Sequence, residues 1–440
     1  MISIQLGEWS EVGPARDERL RSYRITDPKA RQQMDVLARA GVLELTALEA
    51  GLSVRSFSHV GRIELDGLAV TVRPKVAPKV LPTLLRYTYS LQNLAFFDSA
   101  SFDAGAEGLQ DLLIAQLEAE ARELWQRGLL RRYVRRDEQL ASPRGRIDVS
   151  RFARSALQNA LNVPCTHHPR SSDSLLNQVV RGGLELASGL TGHCPLQRSL
   201  ASTAALYADN TASRPIDDQV LAAASRCLDR LSSAYAPVLR LIQLIHESSH
   251  LALEGCELRI KGFMFDMNRF FQSLVGKFLA EFLPQYHLAS EQRIRHMMAY
   301  ASGHNPHRRR SPAPRPDFVV TTADSSYLLD AKYRDLWRTD LPREMLYQLA
   351  IYAMSQPPGS TAAILYPTDD RHATEAIVDI KDPMTGVLRA RVALRPVVIS
   401  TLAKLLSDGR SRAAEQEAWA ESLVRGSQDQ ANRKSVTSGA

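Results

Sequence analysis

Cysteine is scarce in this chain of 440 residues: Cys165, Cys194, Cys227 and Cys256 are scattered, and no C-x-x-C pair occurs. Scattered thiols exclude a disulfide scaffold and suit a reducing compartment. Cys165 with His167 and His168, and His193 with Cys194, can be drawn together as a zinc site only by ignoring that structural zinc ligands come as closely spaced pairs. Long apolar runs are also missing, so nothing approaches the roughly 20 residues a membrane helix needs. Met1 to Glu8 lacks a basic start and an apolar core, so no signal peptide is expected. No G-x-x-x-x-G-K-[ST] occurs, which excludes nucleotide binding by a P-loop. The expectation is a soluble, cytoplasmic protein with no membrane partner.

What is present is ordinary in bulk and uneven in detail. Hydrophobic residues make up 44% and charged residues 23%, the balance of a globular protein, and the length asks for two or three domains. A formal charge of +7 permits a nucleic-acid partner without requiring one. Its distribution says more. Arg127, Arg131, Arg132, Arg135 and Arg136 crowd together, followed by Arg144, Arg146, Arg151 and Arg154. A second group, His304, His307, Arg308, Arg309, Arg310 and Arg315, runs into the stretch that carries the chemistry.

That stretch is Arg315-Pro316-Asp317-Phe318-Val319-Val320 followed by Tyr327-Leu328-Leu329-Asp330-Ala331-Lys332-Tyr333. Both halves read as short strands with a turn at Ala323 and Asp324 between them. A tight turn there sets Asp317 directly opposite Asp330, and strand alternation puts Asp330 and Lys332 on one face. Two carboxylates and one ammonium on one face are what a metal-dependent phosphodiesterase needs. Mg²⁺ prefers carboxylate oxygen, polarises the scissile phosphate and acidifies a bound water, which a nearby Lys can orient. The bland alternative is an edge hairpin with solvated charges; the Pro-Asp start, the hairpin spacing and the D-x-K end favour the site.

Around it the chain reads as α+β and multidomain. A helix is expected near 27–40, strands from Phe57 to Val76 with an Asp66-Gly67 turn, and helix from Leu81 to about Leu130. Ser142 to Asp148 is a loop leading into a strand or turn, and helices follow at about Ser174–Leu190 and Asp217–His250. Cys256–Phe265 reads as a strand. Asp266 or Asn268 then caps a helix that turns Phe270, Phe271, Leu274, Phe278, Leu279 and Phe282 inward. After the hairpin come a helix from Pro342 to Ser355 and strands at Thr361–Tyr366, 374–380 and 387–395, completing a mixed sheet. The boundaries drawn are a β-rich 1–105, a mainly helical 106–255, a catalytic 256–405, and a 406–440 segment of helix and disordered tail.

Helix, strand with Asp, strand with D-x-K, helix, strand is the order of the PD-(D/E)xK nucleases, which this region resembles. Gln348 and Tyr352, one helical turn apart, resemble the Q-x-x-x-Y element of the RecB-like branch, where such residues help hold substrate near the metals. Gln272 stands where many such nucleases place a metal-binding Glu, so the metal site is expected to rest on Asp317, Asp330 and the Ala331 carbonyl. Over about residues 55 to 400 the chain further resembles the McrC family. The carriers are Gly61-Arg62-Ile63 through Arg73-Pro74-Lys75-Val76, Ser142-Pro143-Arg144-Gly145-Arg146-Ile147-Asp148, Asn177-Gln178-Val179-Val180-Arg181, Asp330-Ala331-Lys332-Tyr333, Leu346 to Tyr352, and Ile364-Leu365-Tyr366-Pro367. Gln178 departs from the family's usual Arg.

The resemblance implies an Mg²⁺-dependent DNA endonuclease subunit, with Mn²⁺ able to substitute, in a modification-dependent restriction system against foreign DNA. It implies docking on a hexameric McrB-type AAA+ GTPase that binds the GTP and translocates double-stranded, 5-methylcytosine-bearing DNA. Asp317, Asp330, Lys332, Gln348 and Tyr352 would form the catalytic set and Arg308, Arg309, Arg310 and Arg315 would meet DNA. The absence of a P-loop fits a partner that supplies the NTPase. A competing reading, motivated by Gln272, is an AAA+ ring adaptor and activator whose nuclease fold is weakened or silent. A stand-alone repair nuclease is disfavoured by the large non-nuclease half.

Overall fold

The computed structural model describes residues 2–77, 79–91, 106–156, 162–209, 211–253, 256–259, 261–295, 297–322, 325–357, 360–407 and 412–426. The chain is α+β and divides into two compact units. The first comprises Met1–Val60, Asp66–Leu91 and Met264–Ala440; the second comprises Gly61–Leu65 and Gln92–Phe263. Against the divisions drawn from the sequence, most of the N-terminal segment is grouped with the C-terminal one.

The first unit is built on a six-stranded mixed sheet in the order His287–Ser290, Phe318–Thr321, Ser326–Ala331, Thr361–Thr368, Leu388–Val398, Ala376–Lys381. Phe318–Thr321 and Ser326–Ala331 pair antiparallel, as a hairpin must. The turn residues Ala323 and Asp324 lie outside the described residues, and Thr322 N–H donates to the Ser325 carbonyl at 2.8 Å just inside them. The next strand, Thr361–Thr368, is parallel to Ser326–Ala331. A parallel return needs a crossover, supplied by the helix Arg343–Met354. Its run of Ala362, Ala363, Ile364, Leu365 and Tyr366 is buried throughout, as expected for a strand covered on both faces.

One face of that sheet is covered by Leu349, Tyr352 and Ala353 of the crossover helix, which share a core with Leu328, Ile364 and Val392. The helix Met267–Phe282 buries Phe270, Phe271, Leu274, Phe278 and Leu279, as the aromatic stripe foretold, while Phe282 is only half-buried. Asp266, rather than Asn268, is its N-cap, accepting from the Asn268 and Arg269 N–H groups. Gly276 is obligatory on this helix because a Cβ there would lie 2.8 Å from the Phe318 ring. The helices Ile399–Ser407 and Ala413–Arg425 follow the last strand, and Trp419 packs edge-on against Phe278 with centroids 5.1 Å apart.

The N-terminal part of the same unit opens with Ile2–Gly7, parallel to Leu68–Arg73, and the helix Pro28–Arg39 capped by Asp27. Asp66 (φ 44°) and Gly67 (φ 80°) both adopt positive φ, the turn expected of that dipeptide. The helix Leu81–Tyr89 follows, and the expected continuation through 92–105 lies outside the described residues, as does the tail from 427.

In the second unit Ser174 caps Leu175–Leu190, its side chain accepting from the Asn177 N–H, within the helical stretch expected there. The helical stretch expected over Asp217–His250 consists of Asp218–Arg226, a 3₁₀ turn Ser233–Tyr235, and Ala236–Ser249. The strand expected over Cys256–Phe265 is two, Cys256–Arg259 and Lys261–Asp266. The unit is mainly helical, and Cys194–Ala208 adds a helix that was not foreseen. Its first basic cluster is carried on short strands: Arg132–Tyr133, Arg136–Leu140 and Arg146–Ile147 pair with Val163–His167 and Arg170–Ser171. Fully buried Asn177 ties the two ends of this excursion together. Its Nδ2 donates to the Leu130 carbonyl at 3.0 Å and to the Ser172 carbonyl at 2.6 Å, while Tyr235 Oη donates to its Oδ1 at 2.6 Å.

Candidate metal centre and substrate groove

Phe318 pairs with Leu329, and one step outward along the same register lie Asp317 and Asp330. The turn geometry therefore delivers the opposition that the sequence spacing requires. Ala331 N–H donates to Asp317 Oδ2 at 2.8 Å, and Lys332 Nζ stands 2.8 Å from Asp330 Oδ2. Lys332 N–H continues the sheet onto the Leu365 carbonyl at 3.0 Å. Asp330 is 1% exposed, and its Oδ1 is buried without a hydrogen-bond partner among the described residues. A buried carboxylate oxygen left bare is costly unless something cationic meets it.

The electrostatics agree with the geometry. Burial, followed by the charge of Asp330, pushes the Asp317 carboxyl up to about 6, partly offset by Lys332 and the Ala331 N–H. Burial pulls Lys332 down, but Asp330 and Asp317 together outweigh it and leave the ammonium above its ordinary value. Two crowded carboxylates and one ammonium carry excess negative charge that a divalent cation would neutralise. The oxygens on offer, from Asp317, Asp330 and the Ala331 carbonyl, are hard donors that fit Mg²⁺ or Mn²⁺ and not a thiolate-seeking ion. Among the described residues no group of three or more His, Cys, Asp or Glu is placed to hold a metal. The remaining positions around an ion here would thus fall to water. Among the described residues the cysteines and histidines form no such group either: Cys165 is buried and Cys194 exposed.

Gln272 reaches the site from the Met267–Phe282 helix, its Nε2 donating to Asp317 Oδ1 at 3.1 Å. Gln348 Nε2 donates to Tyr352 Oη at 2.7 Å. Burial raises the Tyr352 phenol first, with Asp330 and Asp317 adding to it and Lys332 opposing, so the ring lies within their field.

The basic residues divide. Arg315 is brought beside Asp317, where its Nε donates to the Glu291 carbonyl at 3.0 Å and its guanidinium pairs with the Glu291 carboxylate. Arg308, Arg309 and Arg310 sit on an exposed loop, Arg309 N–H bonded to Asn305 Oδ1 at 2.8 Å. In the other cluster, Arg127, Arg132, Arg135 and Arg136 pair with Glu123, Asp229, Asp137 and Glu138.

Sequence reasoning missed the groups that fix the end of the Lys332 strand. Asn268 Oδ1 accepts from the Tyr333 N–H at 3.1 Å, and Trp9 Nε1 donates to the Tyr333 carbonyl at 3.1 Å. The Tyr333 ring rests on Phe271, with centroids 6.1 Å apart. Glu8, 2% exposed beside Tyr333, is raised by burial to about 8, Lys75 opposing. Glu291, Arg293 and Arg295 were also missed, because nothing in their spacing marks them.

Comparison with known proteins completes the description. No curated protein matches the chain by sequence. A chain of the refined half-complex from the tetradecameric assembly of Thermococcus gammatolerans McrB AAA+ hexamers with bound McrC aligns at TM-score 0.60 and 18% identity, covering 92% of this chain and 99% of that one. The two share a fold. A chain of the Thermococcus gammatolerans McrBC complex aligns at TM-score 0.45 and 19% identity, over 64% of this chain and 88% of that one. The family model described as "McrBC 5-methylcytosine restriction system component" matches residues 54–367, most of the chain, and with it the Asp317, Asp330 and Lys332 cluster. This protein belongs to the McrBC family of restriction-system components.

Proposed function

We propose that the chain is the Mg²⁺-dependent DNA endonuclease subunit of an McrBC-type restriction complex, with a PD-(D/E)xK catalytic domain. The observation that carries this reading is the juxtaposition of Asp317, Asp330 and Lys332 at the ends of two paired strands, with a bare buried oxygen on Asp330. A bound Mg²⁺ would polarise the scissile phosphate and supply an acidified water. Asp317 and Asp330 hold that charge in place. Lys332, kept protonated by Asp330, orients the attacking water and meets charge developing on the phosphate. Tyr352, steadied by Gln348, borders the same space and holds substrate. All five residues lie on, or one residue beyond, the strands and helix of one sheet and its crossover, which supports a site organised before substrate arrives, the condition for efficient in-line attack.

The partner in this reading is a hexameric McrB-type AAA+ GTPase. Its support is the family match and the fold shared with a chain of an McrB assembly that holds McrC. The chain itself has no P-loop, so GTP belongs to the partner. Among the described residues no helix is long and apolar enough to cross a membrane.

The test is to mix the protein with its AAA+ partner, methylated plasmid, GTP and Mg²⁺, with Asp330→Ala as control. Cleavage that needs both proteins and disappears in the variant is the expected result. Gln272 favours one second reading, an activator of the AAA+ ring with a silent nuclease fold. Faster GTP turnover in both versions without cleavage in Mg²⁺ or Mn²⁺ would establish that alternative.

A further inference from the structure

Beside the carboxylates runs a groove of about 770 Å³, lined in part by Glu291, Arg293, Arg295, Arg315, Val319, Leu328 and Gln356. Val319 and Leu328 are a register pair on its floor. They lie two residues along their strands from Asp317 and Asp330, so alternation places all four on the same face, about 7 Å apart along the strand direction. The floor of the groove is thus a continuation of the metal-binding face. Gln356 stands just past the end of the crossover helix, eight residues beyond Gln348 and four beyond Tyr352. That spacing extends the Gln348–Tyr352 edge toward the groove.

The wall carrying the arginines is a tethered segment. Glu291 N–H donates to the Asp317 carbonyl at 2.8 Å, and Ile294 N–H donates to the Pro314 carbonyl at 2.8 Å. Glu291 adopts φ 53°, a left-handed conformation that a residue with a side chain keeps only when its surroundings impose it, and such residues gather at functional sites. Its carboxylate, which would repel a phosphate, is engaged by Arg315. Arg293 and Arg295 are exposed and pair with no described residue. Two unneutralised guanidiniums in a groove whose floor continues the face of a carboxylate pair match a chain of phosphates and not an isolated anion.

We propose that this groove seats the DNA strand next to the scissile phosphate, with Arg293 and Arg295 each holding a neighbouring backbone phosphate. The assignment rests on the nuclease reading and names the residues that position its substrate. Contacts of this kind carry no sequence information; they set register on the strand and make binding depend on salt.

The experiment measures binding of a short fluorescein-labelled DNA duplex to the full chain by anisotropy in EDTA, over a salt series, for wild type and the Arg293→Glu/Arg295→Glu variant. Cleavage is assayed separately with Mg²⁺, GTP and the AAA+ partner. The variant is expected to bind at least about tenfold more weakly, with a log affinity–log salt slope lower by about two, and an unchanged melting curve. Binding with unaltered affinity and slope overturns the groove, and wild-type cleavage in the same preparation leaves the nuclease reading standing. Loss of cleavage with unaltered binding also overturns it, because the arginines would then act at the metal site. Wild type that binds through Arg293 and Arg295 yet never cleaves would keep the groove and remove the nuclease. An acidic peptide that displaces the duplex as well as unlabelled DNA does would overturn the assignment to nucleic acid.

Discussion

Gln272 Nε2 donates to Asp317 Oδ1 at 3.1 Å, so an amide occupies a place from which a carboxylate would reach an ion held by Asp317. Gln272→Glu should tighten Mg²⁺ and Mn²⁺ binding about tenfold by adding a third anionic oxygen. Without metal the same change should lower the melting temperature, since it adds a like charge beside a carboxyl already pushed up by burial and Asp330. Calorimetric titration with Mn²⁺ checks the first effect. Unchanged affinity would show that position 272 lies outside the reach of the ion.

Lys332→Ala and Asp330→Ala should each lower cleavage by about a thousandfold or more while leaving association with the AAA+ partner intact. Stability separates them from simple misfolding. Lys332→Ala strands Asp330, 1% exposed, without its ion pair and should cost about 3 kcal/mol in metal-free urea titrations, a loss that Mn²⁺ restores in part. Cleavage surviving either change would move the site elsewhere.

The raised carboxyls give a pH signature with a definite sign. Asp317 moves from 3.8 to about 6 and Glu8 from 4.5 to about 8, so the folded chain binds more protons than the unfolded one inside those windows. Stability contributed by the protonated forms is complete below the lower value of each pair and is lost as pH rises through the upper one. Metal-free protein should therefore melt lower at pH 8 than near pH 5. Glu8→Gln should flatten the fall between about 6 and 8, and Asp317→Asn the fall below about 6. Mg²⁺ affinity should weaken as pH drops through about 6, where protons compete for Asp317. A melting temperature flat from pH 5 to 8 in EDTA would remove both assignments.

Asn177→Leu should destabilise the protein by about 3 kcal/mol, because it leaves the Leu130 and Ser172 carbonyls and the Tyr235 hydroxyl without their buried partner. The same variant should stimulate the partner's GTPase less than wild type, while Asn177→Asp, able to accept but not to donate both bonds, falls between. Equal stimulation by all three would mean that anchoring this excursion has no bearing on the partner.

Where the sequence was informative, short-range rules were at work. The hairpin spacing placed Asp317 opposite Asp330, alternation placed Lys332 with Asp330, and i,i+4 spacing joined Gln348 to Tyr352. The cap at Asp266, one of two candidates with Asn268, was legible for the same reason. The failures share a different cause. The strands within the basic segment depend on contacts that no local window contains. The Glu291–Arg315 pair joins residues 24 apart, and Arg293 and Arg295 acquire meaning only once Pro314 and Asp317 hold their segment in place. Trp9 and Tyr333 are the extreme case, since nothing near either residue announces the other.

That last bond also has a consequence for how the molecule comes into being. Trp9 and Tyr333 are 324 positions apart, so the indole of the ninth residue waits for most of the chain to be made before its carbonyl exists. Gln92–Phe263, nearly all of the second unit, is by contrast continuous and is complete before Met264 is added. Domains fold as units while the ribosome advances. A nascent chain halted at Phe263 holds the whole Arg127–Arg154 excursion and its Asn177 anchor, yet contains neither Asp317 nor Asp330. Translation itself imposes an order on the molecule: the anchored basic excursion can mature before the carboxylate pair has been synthesised.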